Sequence, residues 1–204
     1  MRGLYAIIDP EQCVQDPEQV TRAVLRGGCA VLQLRDKQNS DKEVVQLARK
    51  LGSLCREYGV PFVLNDRFWL VREVGAQGAH VGQTDEAMEN VRRELGGAIQ
   101  IGVSTHNLKQ AHEAVRLGAD LIGFGPIFGT TTKENPDPTV GLTLLRTVVE
   151  QISIPIVAIG GITLAKASEV ASTRVPLAAA VSALCAAKDP EHTARELHTI
   201  LGGN

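Results

Sequence analysis

Short apolar runs alternate with longer amphipathic stretches from one end of this chain to the other. The runs are Leu4–Ile8, Ala30–Leu34, Pro61–Leu64, Ala79–Val81, Ile99–Val103, Leu121–Phe124, Ile156–Ile159 and Leu177–Val181. Each has strand length and is bounded by Gly, Pro, Asp or Asn. Between them lie helical patterns. Asp41–Tyr58 repeats Val44, Val45, Leu47, Ala48, Leu51 and Leu54 on a helical period, and Leu108–Leu117, Leu142–Ile152 and Glu191–Leu201 follow the same rule. Strands that alternate with helices pair in parallel, because each crossover returns the chain to the same end of the sheet. Roughly eight such units in 204 residues predict a (β/α)8 TIM barrel near the lower limit of its size. A doubly wound open sheet is the alternative that the layer rules leave open.

A weak internal repeat favours the barrel. Gly27–Leu34, Gly75–Gly82 and Leu117–Phe124 resemble one another, and in each a glycine ends a helix before a strand begins. No linker or low-complexity tract interrupts the pattern, so residues 1–204 are expected to form a single catalytic domain. The longest stretch without a periodic pattern is Gly129–Thr139, which follows the sixth apolar run.

A net charge of −2 gives no basic footprint for nucleic acid, so any anion must be held by a local arrangement. No run is long enough to span a membrane, and the N-terminal apolar run is too short for a signal peptide. These features point to small-molecule partners and a cytoplasmic protein, and they leave oligomeric state unread. Cys13, Cys29, Cys55 and Cys185 form no C-x-x-C pair, so the expectation is four small hydrophobes, with neither a zinc site nor a disulfide framework.

In a TIM barrel the active site gathers at the C-terminal ends of the strands. There the sequence supplies Asp9; Gln33, Arg35 and Lys37; Asn65 and Asp66; Gln83 and Asp85; Ser104, Thr105 and His106; Thr130, Thr132 and Lys133; Gly160 and Gly161; and Ser182. Gln33, Arg35 and Lys37 fall on one face of an extended segment, where an arginine fork and a lysine point charge suit a pyrophosphate. A solvated edge strand has the same pattern, but the apolar Ala30-Val31-Leu32 before it argues for burial on both faces. Asp66 and Asp85 end neighbouring strands and could share a Mg²⁺, which takes one or two carboxylates and completes its shell with water and phosphate. Each also fits a helix start. Gly160-Gly161-Ile162-Thr163 and Val181-Ser182-Ala183 open helices after the seventh and eighth runs, where a phosphate ester can rest on backbone N–H groups. A plain turn with a serine cap is the bland version of that reading. His106 could act as an acid or base, or simply pack. His80 reads as core, and His112, His192 and His198 as helix surface.

Eight segments in register carry a resemblance. They are Leu4–Asp9, Gln33–Lys37, Asn65–Arg67, His80–Asp85, Gly102–His106, Gly125–Phe128 with Thr130–Lys133, Ala158–Ile162 and Ala180–Ala183. Together they resemble the thiamine-phosphate synthase family along nearly the whole chain. The resemblance implies that a hydroxymethylpyrimidine diphosphate is joined to a thiazole phosphate, carboxylated or not. Diphosphate leaves first in a dissociative, Mg²⁺-dependent displacement, and the thiazole nitrogen captures the pyrimidine cation. It also implies roles. Asp66 and Asp85 resemble the metal ligands. Gln33, Arg35, Lys37, Asn65, Ser104 and Lys133 resemble the residues that hold the pyrimidine diphosphate, and of these Arg35, Lys37, Ser104 and Lys133 would act on the reacting groups. Leu34 and Asp36 lie within the same binding segment. Thr130, Thr131 and Thr132 look like the thiazole-side loop, and Gly161, Val181 and Ser182 like the cradle of its phosphate.

Two other readings compete. A thiazole tautomerase shares this fold and pattern, and would need His106 but none of the metal or pyrimidine residues. A non-catalytic sensor of phosphorylated ligands would need only the scaffold.

Relatives often carry proline just before the first loop threonine, where this chain has Gly129. Glycine enlarges the open ensemble of the loop without removing a chemical group. Gly129→Pro is therefore expected to leave turnover within a few-fold, measured by steady-state kinetics. Complete loss would show that the loop is built differently here.

Overall fold

The computed structural model describes residues 1–82, 88–130 and 137–203. The strands are β1 Gly3–Ile8, β2 Val31–Leu34, β3 Phe62–Asn65, β4 Gly78–Val81, β5 Gln100–Thr105, β6 Leu121–Phe124, β7 Ile156–Ala158 and β8 Leu177–Ala180. The helices are α1 Pro17–Gly27, α2 Asp41–Glu57, α3 Val71–Val74, α4 Met88–Leu95, α5 Leu108–Arg116, α6 Gly141–Gln151, α7 Leu164–Ala171, α8 Ser182–Cys185 and α9 Pro190–Ile200. Short 3₁₀ turns occupy Pro10–Gln12 and Phe68–Leu70.

Each strand pairs in parallel with the next, and β8 pairs back onto β1 through Gly3↔Leu177 to Ala6↔Ala180. That closure makes a (β/α)8 barrel and rules out the open sheet. Helix starts follow local chemistry. Ser40 and Glu43 close a capping box on α2. Asp16 and Asp189 cap α1 and α9, each ahead of a proline at the first helical position.

Alternation along the strands divides the side chains between two cores. Leu4, Ala6 and Ile8 of β1, with Leu32, Leu34, Phe62, Leu64, Ile101, Ile122 and Phe124, face the helices and join the larger cluster. Tyr5 and Ile7, with Val31, Val157, Leu177 and Ala179, fill the barrel axis. Two strands extend past the C-terminal end of their apolar runs. β3 continues to Asn65 and β5 to Thr105, because polar side chains that turn toward the axis or bond a neighbour do not interrupt the backbone ladder. Thr105 is fully buried and donates from Oγ1 to the Gly123 carbonyl (3.0 Å).

His198 corrects an expectation. It is not a surface position of α9. It closes the N-terminal end of the barrel, where its Nδ1 accepts from the Leu4 N–H (3.1 Å). A Cβ at Gly3 or Gly203 would meet its ring at 2.5 and 2.2 Å, so the glycines admit the imidazole. His112 and His192 are exposed, as expected.

Phe124 is completely buried between sheet and helices. Phe124→Ala is expected to destabilise the fold by about 3–5 kcal/mol, the cost of lost transfer energy plus a cavity. Urea unfolding checks this, and a shift below about 1 kcal/mol would mean that the helical layer collapses into the space.

Candidate active site

The C-terminal rim of the barrel surrounds a cleft of about 1120 Å³, its open mouth included. Its walls include Gln33, Arg35, Asn65, Ser104, Thr130, Gly161, Val181 and Ser182 from the sequence-derived set. The fold therefore brings together residues from the ends of β2, β3, β5, β6, β7 and β8.

Strand parity explains the β2 contribution. Gln33 faces the axis, is 2% exposed, and donates from Nε2 to the Tyr5 hydroxyl (2.9 Å). Burial pushes the Tyr5 phenol well above its ordinary range, so the phenol stays neutral, and the bond fixes the Gln33 amide. Leu34 faces the opposite way, into the helical layer. Arg35 keeps the inward parity and pairs with the Asp9 carboxylate, which is 1% exposed. Asp9 also accepts from the Glu11 N–H (3.2 Å), so one buried carboxylate both starts the Pro10–Gln12 turn and aims a guanidinium at the cleft. Lys37 departs from the shared strand face. It lies beyond the end of β2, half-exposed, with Nζ 3.1 Å from Asp66 Oδ2. Asp36 is buried, and its carboxylate accepts from the N–H groups of Gln38 (3.2 Å) and Asn39 (3.0 Å) and from the Asn39 side chain (2.9 Å). It shapes the loop that presents Lys37.

Asn65 ends β3 and Asp66 follows with φ 61°, in the left-handed region. A non-glycine residue there is uncommon and collects at functional sites. The conformation is held from both sides, as the Asp66 N–H donates to the His80 carbonyl (2.8 Å) and the Phe68 N–H to the Asp66 carbonyl (2.7 Å). No side-chain cap bond starts the following turn, so Asp66 is not spent as a helix cap. Asp85 lies outside the described residues, as do Thr131, Thr132 and Lys133.

Sequence reasoning placed His80 in the core, but it belongs to the cleft wall. Its Nε2 lies 3.0 Å from Ser104 Oγ. Room for the ring comes from two glycines at inward positions: a Cβ at Gly102 would meet His80 at 2.5 Å and one at Gly123 at 3.2 Å. The signal was present as small residues at matching parity in β5 and β6, but reading it requires the register His80↔Gly102 and Ser104↔Gly123. Tyr5 was likewise legible only through strand pairing, as was the pairing of the rim residue Asp9 with Arg35.

His106 also lines the cleft. Its backbone N–H donates to Gln110 Oε1 (2.7 Å). Nδ1 sits 2.6 Å from the Gly125 carbonyl, which can only accept, so Nδ1 carries the proton. Nε2 faces Asp137 Oδ2 at 3.4 Å.

The last wall is built from backbone. Gly160 (φ 103°) and Gly161 (φ 64°) let the β7 loop lie against the β6 loop, through the Ile127 N–H to Ile159 carbonyl (2.8 Å) and Phe128 N–H to Gly160 carbonyl (3.0 Å) bonds. A Cβ at Gly160 would strike Pro126 at 2.5 Å, and one at Gly161 the Gly129 carbonyl at 2.4 Å. Neither α7 nor α8 has a side-chain cap bond, so a serine cap does not account for Ser182.

Residues 4–184 match the family model described as thiamine monophosphate synthase. The chain is 43% identical over 182 residues to a thiamine-phosphate synthase of Chloroflexus aurantiacus, covering 89% of this chain and 84% of that one. It is 38% identical over 199 residues to that of Bacillus thuringiensis, covering 96% and 90%. A solved thiamine phosphate pyrophosphorylase from Pyrococcus furiosus superposes with a TM-score of 0.89 at 34% identity, covering 98% of this chain and 95% of that one.

Gly161→Ala is expected to lower the thermal midpoint by several degrees, since it combines positive-φ strain of about 1 kcal/mol with a backbone clash. Calorimetry checks this. An unchanged midpoint would show that the β6 and β7 loops separate freely.

Proposed function

The chain belongs to the thiamine monophosphate synthase family, as a transferase of thiamine biosynthesis, and from that premise we propose how its cleft performs the condensation. The substrates are a hydroxymethylpyrimidine diphosphate and a thiazole phosphate, the latter carboxylated or not. The products are thiamine phosphate and diphosphate. One observation supports the reading: the ends of β2, β3, β5, β7 and β8 bring Gln33, Arg35, Asn65, Ser104, Gly161 and Ser182 to one cleft, and Lys37 and Asp66 pair with each other just past β2 and β3.

The arrangement answers the main demand of a dissociative displacement, which is to stabilise charge as it develops on the leaving group. Arg35 is oriented in advance by Asp9 and loses little freedom on meeting a diphosphate. Lys37 supplies a point charge from the rim, and Lys133 is the third cation of the reading. Gln33, Asn65 and Ser104 orient the pyrimidine, with Gln33 fixed by Tyr5 and Ser104 beside His80. Gly161, Val181 and Ser182 cradle the thiazole phosphate, and Thr130, Thr131 and Thr132 are the thiazole-side loop residues of this reading.

The donor set fits Mg²⁺. Asp66 offers a hard carboxylate that its strained turn holds at the rim beside Lys37, and Asp85 is the second carboxylate of the reading. When bound, the ion neutralises diphosphate charge and so favours its departure. The reading takes residues 1–204 as one catalytic domain in the cytoplasm. No described helix is long and apolar enough to cross a membrane.

His106 keeps a tautomerase reading in play, since its proton is fixed on Nδ1 and its Nε2 lies in the cleft wall. One experiment separates the readings: diphosphate release from both substrates, with Mg²⁺ or with EDTA. The synthase requires metal and both substrates. Asp66→Asn or Asp85→Asn is expected to lower turnover by about 10²-fold or more, the scale for removing one electrostatic stabiliser, whereas His106→Asn stays mild. A lethal His106→Asn with activity surviving EDTA would favour the tautomerase. No turnover under any condition would leave a sensor of phosphorylated ligands.

A further inference from the structure

Two of the four cysteines, 172 positions apart in sequence, meet beneath the active-site rim. Cys185 ends α8 and is fully buried; Cys13 follows the Pro10–Gln12 turn and is partly exposed. Their backbones are in contact, as the Val14 N–H donates to the Cys185 carbonyl at 3.1 Å. Gln15 Nε2 extends the same seam to the Ala187 carbonyl at 3.2 Å. The Val14 bond joins Cys185 to the residue next to Cys13, so the two cysteines lie on adjoining backbone, the neighbourhood a disulfide requires. The proximity of the two thiols raises Cys13 and lowers Cys185.

The pair is wired to the site. Cys185 Sγ accepts from the Asp9 N–H (3.5 Å) and donates to the Ile7 carbonyl (3.6 Å). Asp9 holds Arg35, and α8 begins at Ser182. Cys13 rides on the turn that Asp9 starts, through its own N–H to the Pro10 carbonyl (3.3 Å). Cys29 and Cys55 have no such connection. Burial pushes each up to about 12, with Cys55 adding to the shift at Cys29, which leaves them inert.

We infer that Cys13 and Cys185 form an oxidisable pair whose disulfide, made by a peroxide, withdraws Sγ from Asp9 and disturbs Arg35 and Ser182. The reaction balances. One sulfur attacks the peroxide oxygen and hydroxide leaves, giving a sulfenic acid. The second sulfur attacks the first, and the sulfenic oxygen leaves as water. Two thiols and one peroxide become one disulfide and two waters, so sulfur is oxidised and peroxide reduced.

The site's role in turnover rests on the proposed function, but the bond itself is read without it. The full chain is treated with hydrogen peroxide, alkylated and digested with trypsin without reduction. The expected product links the peptide 3–22 to the peptide 175–188, and free thiols fall by two of the four. Turnover falls by about tenfold or more, as an ångström-scale misplacement produces, and dithiothreitol restores it. Cys13→Ser is expected to keep untreated activity within about twofold and to resist peroxide. A linkage to another cysteine, over-oxidation without a link, or equal inhibition of Cys13→Ser would overturn the proposal. A link formed without any change in turnover would also overturn the coupling to the site.

Discussion

Closing eight parallel strands into a barrel decides, position by position, which side chains point to the axis and which to the helices. A one-residue slip in any strand would exchange the two sets, so the register is strongly specified by the apolar residues on both sides. In β2 the same alternation that sends Leu32 and Leu34 outward sends Gln33 and Arg35 inward. The site therefore inherits its geometry from packing. Its polar groups stand on strands whose alternate residues are locked in a close-packed outer layer.

Space at the axis is the second constraint. An imidazole, a phenol and a guanidinium share the upper barrel, and glycines make that possible. Gly102 and Gly123 lie under His80. Gly160 and Gly161 bring two loops to van der Waals contact and leave their backbone at the cleft. At the axis Gln33 is bonded to Tyr5, and on the outer side of β5 Thr105 is bonded to the Gly123 carbonyl. Burial without such partners would cost about 1–3 kcal/mol per group.

Asp9 joins these layers. Its carboxylate is buried with Arg35, its side chain starts a turn, and its N–H reaches the sulfur of Cys185. A buried charge is tolerated only when it is paired, so the Asp9–Arg35 geometry resists independent movement of either residue. The turn, α8 and the guanidinium form one unit. A covalent change at the cysteines is then a change at the rim.

Residue order alone determined the alternation of strand and helix, the parallel sheet, and most of the rim: Gln33, Arg35, Asn65, Ser104, Gly161 and Ser182 were legible because strand ends are marked by a change from apolar to polar. It also carried the family, since eight short motifs in register constrain more than any one of them. It did not show that His80 lines the cleft, that His198 closes the opposite end, or that Asp9 orients Arg35. Nor did it show that Cys13 and Cys185 touch. Composition and periodicity describe neighbours along the chain, and each of these facts depends on which strand lies beside which, and in what register. That is decided only when β8 closes onto β1 and brings the two ends of the chain together.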